Sequence, residues 1–346
     1  MQPQLQTPSP GPAPTTTLSP AARMKAVIQP AYGGPEVLEV GELPVPTVAE
    51  DAVLVRVAVG GVNKGDWHLL TGTPYLVRAV YGFSRPSRPV LGMAMAGRVV
   101  AVGAKVTGFA EGDLVCAEVN RGAFAEYCAV PAKDLAKLPA GLDLEAAATI
   151  PVSGTTALQA VRDAGKLQAG QRLLVNGASG GVGCFAVQIA KAMGAEVTAV
   201  CSAGNAALVR SLGADHVINY AAEDFTRGER RYDVILDLVG NHGRAALRGV
   251  LTPKGRLLAA AGGADHPWVG PMLDILAGVV TNTWSAQPFV PVANKPNATD
   301  LAAVAALMVE GKVRPVIDRR HTLDEVQEAV RYLGTGRVRG KIVVTV

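Results

Sequence analysis

The chain has 346 residues, 49% of them hydrophobic and 18% charged, with a mean hydropathy of +0.24. That content supports a sizeable core, excludes a chain disordered throughout, and at this length predicts two domains. The net charge is +4 with no basic run, which excludes a nucleic-acid footprint. No apolar stretch reaches the ~18–20 residues of a membrane helix, so neither nucleic acid nor membrane is expected as a partner.

Residues 1–23 are rich in proline, threonine and serine, with no charge before Arg23, and are expected to form a disordered tail. They lack the apolar block of a secretion signal and the arginine pattern of an import signal. Met24 is an alternative start. From there MKAVIQ, AVLVRVAVGGV and GRVVAVGAKV read as short strands broken by glycine, and LVCAEV and AFAEYCAV follow. Such a series predicts a compact β-barrel-like domain up to about residue 150. The four cysteines (Cys116, Cys128, Cys184 and Cys201) are far apart with no C-x-x-C pair. Free buried thiols in a cytoplasmic, reducing setting are expected, without a structural zinc site.

Past residue 151 the periodicity changes. Leu173–Val175 reads as a strand, Phe185, Ala186, Ile189, Ala190 and Met193 recur at helical spacing, and Glu196–Cys201 begins the next strand. A helix (206–212), a strand (232–239), a helix from Arg244 and a strand (255–261) continue the alternation, which gives a doubly wound parallel sheet. A helix (300–310), a strand (313–317), a helix (323–333) and a final strand KIVVTV close the chain.

Asn176-Gly177-Ala178-Ser179-Gly180-Gly181-Val182-Gly183 sits directly between a strand and a helix. Glycines there let backbone approach a pyrophosphate, and the helix N-terminus offers free N–H groups. An NAD site usually carries an acid at the end of the next strand, to bond the ribose 2′-hydroxyl. Here the stretch is Val200-Cys201-Ser202-Ala203-Gly204-Asn205, with no acid, so NADPH is favoured and NADH stays possible. Ser202 and Asn205 can donate to a 2′-phosphate, and Arg210 follows.

From Met24 to Val346 the sequence resembles the medium-chain dehydrogenase/reductase superfamily, specifically its zinc-independent quinone oxidoreductase (zeta-crystallin-like) branch. The residues that carry this are Gly61-Val62-Asn63 with Asp66, Leu91-Gly92 with Ala96-Gly97, Gly112-Asp113 and Gly122–Tyr127. Pro151–Ala157, the glycine loop, Leu212–Asp215, Asn219-Tyr220 and Gly340-Lys341 complete the series. The resemblance implies an α/β protein with a GroES-like β-barrel catalytic domain (24–150), a Rossmann dinucleotide-binding domain (151–287) and a return to the catalytic domain (288–346). It implies a homodimer acting on a small-molecule substrate in the cleft between domains.

In the zinc-dependent relatives a ligating cysteine stands at the position of Asn63 and a His-Glu pair at Met93-Ala94, and the structural-zinc lobe after Gly112-Asp113 is missing here. Catalysis is therefore expected without zinc. Hydride addition to a quinone or α,β-unsaturated carbonyl spreads the developing charge and needs less electrophilic help than reduction of a simple ketone. On the branch's pattern Asn63 bonds substrate or the nicotinamide ribose, and Thr156 holds the carboxamide. Gly177, Ser179, Gly180, Gly181, Val182, Gly183, Ser202, Asn205, Tyr220, Val239 and Lys341 complete the cofactor site, with Phe289 facing the nicotinamide. His68 takes the place of a tyrosine, either as proton donor or as a half-exposed surface histidine. The connection Thr71–Pro89 is either a lid or a helix packed under the barrel. Two further readings remain: a carbonyl/alcohol oxidoreductase with His68 as acid, and a non-catalytic NADP-binding or RNA-binding protein.

Overall fold

The structure, a computed structural model, describes residues 22–259 and 272–346. Strand β1 (Arg23–Ile28) pairs antiparallel with β2 (Glu39–Pro44). Arg23, expected in the tail, lies opposite Pro44 in this ribbon, with its guanidinium 3.1 Å from the Glu42 carboxylate; the rest of that expected tail, up to residue 21, falls outside the described residues. β3 (Ala52–Val62) is buried along almost its whole length. A Cβ at Gly61 would come within 2.4 Å of the Ala148 carbonyl, so glycine lets this strand lie flush against the segment crossing it. At Asn63 the backbone is still extended, and its N–H donates to the Asp66 carboxylate at 2.8 Å. That bond starts α1 (Lys64–Thr71), which Gly72 ends in the left-handed region at φ 61°. A short helix α2 (Leu76–Tyr81) follows with no fully buried residue, and its Val77 and Tyr81 pack, half-buried, against the core of the barrel. β4 (Ala94–Val102), β5 (Leu114–Glu118), β6 (Tyr127–Pro131), β7 (Leu135–Lys137) and α3 (Leu144–Thr149) complete the first half.

The second half alternates helix and strand: α4 (Thr155–Gln159), β8 (Arg172–Asn176), α5 (Gly181–Ala192), β9 (Glu196–Cys201), α6 (Ala206–Ser211), β10 (His216–Asn219) and β11 (Tyr232–Asp237). It continues through α7 (Arg244–Gly249), β12 (Leu251–Ala259), α8 (Met272–Val280) and β13 (Phe289–Pro291). All six strands are parallel, in the order β10-β9-β8-β11-β12-β13. The order reverses between β8 and β11, so a crevice opens at their carboxyl ends. β13 extends this sheet a little past the boundary expected at residue 287. The last two residues of the strand expected over 255–261 lie outside the described residues.

The chain then returns through α9 (Ala298–Val309), β14 (Ile317–Thr322), α10 (Val326–Gly334) and β15 (Lys341–Thr345). β15 pairs antiparallel with β3, Ile342 opposite Val62, and the first sheet runs β14-β15-β3-β4-β5-β7, with β6 also on β3. The strand expected at 313–317 begins only at Ile317. The Val313 N–H is bonded to the Leu307 carbonyl at 3.1 Å, closing α9, and Pro315 follows without a donor. One apolar core runs from Val59 and Ala96 through Ala147 and Phe185 to Val175 and Val343, joining both halves. A second fills the barrel around Val55, Leu70, Phe124 and Val344.

Candidate active site

The glycine loop stands where β8 gives way to α5. Gly177 has φ 88°, a conformation glycine adopts without strain. A Cβ at Gly183 would lie 2.3 Å from the Gly177 carbonyl, so the helix can pack onto the strand end only without a side chain there. The loop is tied on both flanks. Asn205 Nδ2 donates to Ser179 Oγ at 3.0 Å, and the Gly340 N–H donates to the Ser179 carbonyl at 2.8 Å. At the end of β11 the buried Asp237 carboxylate accepts from Asn176 Nδ2 at 2.9 Å and from the N–H groups of Val239 and Gly240 at 3.1 and 3.0 Å. Both sides of the crevice are thereby fixed.

Above the loop is a cleft of about 930 Å³, bounded by both halves of the molecule. It brings together Thr156, Gly177, Ser179, Gly180, Gly181, Val182, Gly183, Ser202, Asn205, Tyr220 and Val239. Asn63, His68, Phe289 and Lys341 are not among its lining residues. Phe289 pairs in register with Leu257 and packs on Gly278 in the core of the second sheet, so the expected contact with the nicotinamide is not seen. Arg210, considered for the 2′-phosphate, also lies off the cleft.

Beneath the cleft floor is a buried polar cluster. Lys341 Nζ donates to the Val62 carbonyl at 3.0 Å, to Ser153 Oγ at 3.1 Å and to Asn63 Oδ1. Ser153 Oγ donates to Asn63 Oδ1 at 3.2 Å, and Asn63 Nδ2 donates to the Gly61 carbonyl at 2.9 Å. The Asn63 side-chain oxygen thus accepts from both Lys341 and Ser153, and its Nδ2 is held by the Gly61 carbonyl. Burial lowers Lys341 to about 8, against the opposing pull of Asp66 and Glu118. Burial raises Asp66 to about 7, opposed by the Asn63 N–H and then by the charge of Lys341. Glu118, also raised by burial, accepts from Asn294 Nδ2 at 2.6 Å and from the Val152 N–H at 3.1 Å. Val152 has φ 67°, an outlier for a β-branched residue, and the turn it makes delivers Ser153 to Lys341. His68 is half-buried near the end of α1, with Nδ1 2.8 Å from the Thr73 carbonyl. Burial lowers its pKa below the usual histidine value.

Several lining residues were not singled out from the sequence: Lys64, Asn241, Asn294, Arg337 and Arg339. Lys64 adjoins Asn63 and could have been found from that motif. The two arginines come from a segment more than a hundred residues past the loop, and no local pattern places them there.

The Cβ-free cradle, the volume and the absence of a carboxylate from the lining among the described residues fit a dinucleotide with a phosphorylated ribose. A doubly wound sheet with this cradle, opening on a cleft shared with a β-barrel, defines a nicotinamide-dependent oxidoreductase of the two-domain kind. Residues 49–140 match the alcohol dehydrogenase GroES-like domain, and residues 212–344 match the family described as zinc-binding dehydrogenase. The chain is 32% identical over 336 residues to a chloroplast envelope quinone oxidoreductase homolog of Arabidopsis thaliana, covering 93% of this chain and 98% of that protein. The quinone oxidoreductase of Coxiella burnetii superposes with a TM-score of 0.82 at 27% identity, covering 94% of this chain and 100% of that one. The Escherichia coli quinone oxidoreductase complexed with NADPH gives 0.80 at 25% identity, covering 93% and 100%. The chain belongs to the medium-chain dehydrogenase/reductase superfamily, in its zinc-independent quinone oxidoreductase branch. The matched family description names zinc, yet the ligand positions hold Asn63, Met93 and Ala94. Among the described residues no group of three or more His, Cys, Asp or Glu is placed to hold a metal.

Proposed function

We propose that this protein is an NADPH-dependent reductase of quinones or α,β-unsaturated carbonyls. The observation that carries this reading is the cleft, a glycine cradle walled by Ser202, Asn205 and Tyr220 with no carboxylate lining it among the described residues. The reading assigns the pyrophosphate to Gly180–Gly183, the phosphorylated ribose to Ser202, Asn205 and Tyr220, and the nicotinamide end to Thr156 and Val239. NADPH, when bound, supplies a hydride. Asn63 and Lys341 act from below: Lys341 ties the ends of β3 and β15 to Ser153, and the neighbouring Gly340 N–H holds the loop at the Ser179 carbonyl. A conjugated acceptor disperses the charge that hydride addition creates, and solvent at the cleft mouth supplies the proton. Relatives bear the names 2-methylene-furan-3-one reductase (Solanum lycopersicum) and NADPH-dependent alkenal/one oxidoreductase (Arabidopsis thaliana), which support an enone or quinone acceptor. Screening NADPH oxidation against quinones, enones and simple aldehydes tests it. Turnover of the conjugated acceptors is expected, and turnover of aldehydes alone overturns the reading.

The same reading takes the protein as a homodimer. Exposed Leu276, Val279, Val280 and Trp284 adjoin β13, the edge of the six-stranded sheet among the described residues, and an apolar edge of this kind is suited to a second copy. It places the protein in the cytoplasm, which the buried, unpaired Cys116, Cys128, Cys184 and Cys201 support. Among the described residues no helix is long and apolar enough to cross a membrane.

A further inference from the structure

Helix α2 is apolar on two sides. Val77 and Tyr81 turn inward, half-buried against the core of the barrel. Leu76 and Val80, four positions apart and so on one helix face, turn outward, and Phe83 continues the stripe just past the helix. These three are 50%, 76% and 78% exposed, and among the described residues only Trp284 exposes more of a large apolar side chain than Phe83 and Val80. Single exposed apolar residues need no explanation, whereas a contiguous stripe marks a surface with a partner.

The stripe is held in place from behind. The Arg78 guanidinium lies over the rings of Tyr32 and Tyr75, 4.6 Å from each centroid, and its Nε donates to the Gly72 carbonyl at 3.1 Å. Tyr32 Oη donates to the Gly82 carbonyl at 2.6 Å, and Tyr81 Oη donates to Asn120 Oδ1 at 3.3 Å. The Ser87 N–H donates to the Tyr81 carbonyl at 2.7 Å, which folds the following loop back onto the end of α2. Arg85 and Arg88 stand exposed on that loop. Between Asp66 and Glu111 the chain carries no acid at all. Glu36, in the segment that carries Tyr32, is turned onto the Gly34 N–H at 3.0 Å.

An apolar ridge with a basic rim limits what can cover it. A second copy docked across a two-fold axis here sets like charges against each other. Residues 1–21 carry no charge to meet the arginines. Anionic headgroups over an acyl layer meet both features, because apolar side chains enter the boundary while arginines stay at the level of the phosphates. We propose that α2 and the loop after it form a peripheral docking surface for an anionic lipid bilayer, with Leu76, Val80 and Phe83 entering the boundary and Arg85 and Arg88 pairing with lipid phosphates. Three side chains and two charges give a weak, reversible association. The expectation of no membrane partner rested on the lack of a spanning helix, and a segment lying in the interface needs none. α2 follows directly on α1, whose first residue, Lys64, lines the cleft, so docking sets the barrel side of the cleft toward the layer in which apolar acceptors dissolve. That consequence, unlike the docking itself, rests on the acceptor reading above.

The test is co-sedimentation of the full-length protein with vesicles of phosphatidylcholine alone and of phosphatidylcholine with phosphatidylserine, over a range of salt concentrations. The wild type is expected to partition onto the phosphatidylserine vesicles, less so as salt rises. The L76S/V80S/F83S variant is expected to partition about 10- to 100-fold more weakly at every salt concentration. The R85Q/R88Q variant is expected to lose about 10- to 30-fold at low salt, with a flattened salt dependence. Every substituted side chain is exposed, and unchanged circular dichroism and melting confirm that the variants fold. A wild type left in solution by both kinds of vesicle would overturn the proposal and leave the face to an acidic protein partner. Binding to phosphatidylserine vesicles that neither variant weakens would also overturn it, by placing the lipid contact elsewhere. Neither result touches turnover, so the reductase reading stands or falls separately.

Discussion

Asp66 and Ser202 are the side chains where the electrostatics of the site can be read most directly. Burial raises the Asp66 carboxyl to about 7, from an ordinary value of 3.8. Its contribution to stability is therefore full below the unfolded value and is lost as pH rises through about 7. Lys341, lowered to about 8, stays charged in both folded and unfolded states below that window and adds no slope to it. Glu118, raised in the same direction as Asp66, adds the same slope to any Asp66 variant. Asp66→Asn keeps an acceptor for the Asn63 N–H and removes the titration. Its melting temperature should fall less than the wild type's between pH 4 and 7, and parallel thermal melts check this. Ser202 presents the opposite case, a neutral group on the cofactor wall. Ser202→Asp puts a fixed negative charge beside the phosphorylated ribose and should weaken NADPH about 5- to 150-fold while holding or improving NADH, as read by titration of each cofactor.

At the level of elements, the strand–loop–helix unit was legible because its chemistry is local. The glycines of β8–α5, the missing acid after β9 and the helical spacing of Phe185 and Ile189 all lie within one stretch of sequence. Gly183 tests that unit. With a Cβ only 2.3 Å from the Gly177 carbonyl, Gly183→Ala must displace the helix from the strand end. It should cost about 1–3 kcal/mol in urea unfolding and lower dinucleotide affinity at least tenfold. The elements misread were those decided by distant partners. The run Phe289–Pro291 carries no period that distinguishes a cofactor-facing loop from an edge strand, and pairing with β12 settles it. Arg23 looked like the end of a tail because the strand opposite it, β2, was not itself read. Lys341 was noted as a motif, but its contact with Asn63 spans 278 positions and no local rule gives it. The half-buried α2 was left open for the same reason, since its aromatic and apolar residues suit a packed helix as well as a surface one.

Over the whole molecule, the core that joins the two halves runs through α3 and α5, and the cleft is bounded by both halves. The general plan of barrel, doubly wound sheet and return was legible because strand-rich and alternating segments differ in period. The cleft positions of Arg337 and Arg339 were not, because the closing segment folds back over the glycine loop to place them there. The dimer reading is a claim at this scale too. Trp284→Lys, at a side chain 80% exposed beside the sheet edge, should shift sedimentation from dimer toward monomer while leaving the monomer's fold unchanged by circular dichroism. A dimer unaffected by that charge would place the contact elsewhere.

The central claim is hydride transfer from NADPH to a conjugated acceptor by a site whose zinc-ligand positions hold Asn63, Met93 and Ala94. It is tested most directly by following NADPH oxidation on chelator-treated protein with quinone and enone acceptors, with metal content determined on the same sample. The account predicts one NADPH consumed per acceptor reduced, at a rate unchanged by the chelator. Turnover that follows one tightly bound zinc per chain, and disappears with it, would contradict the account.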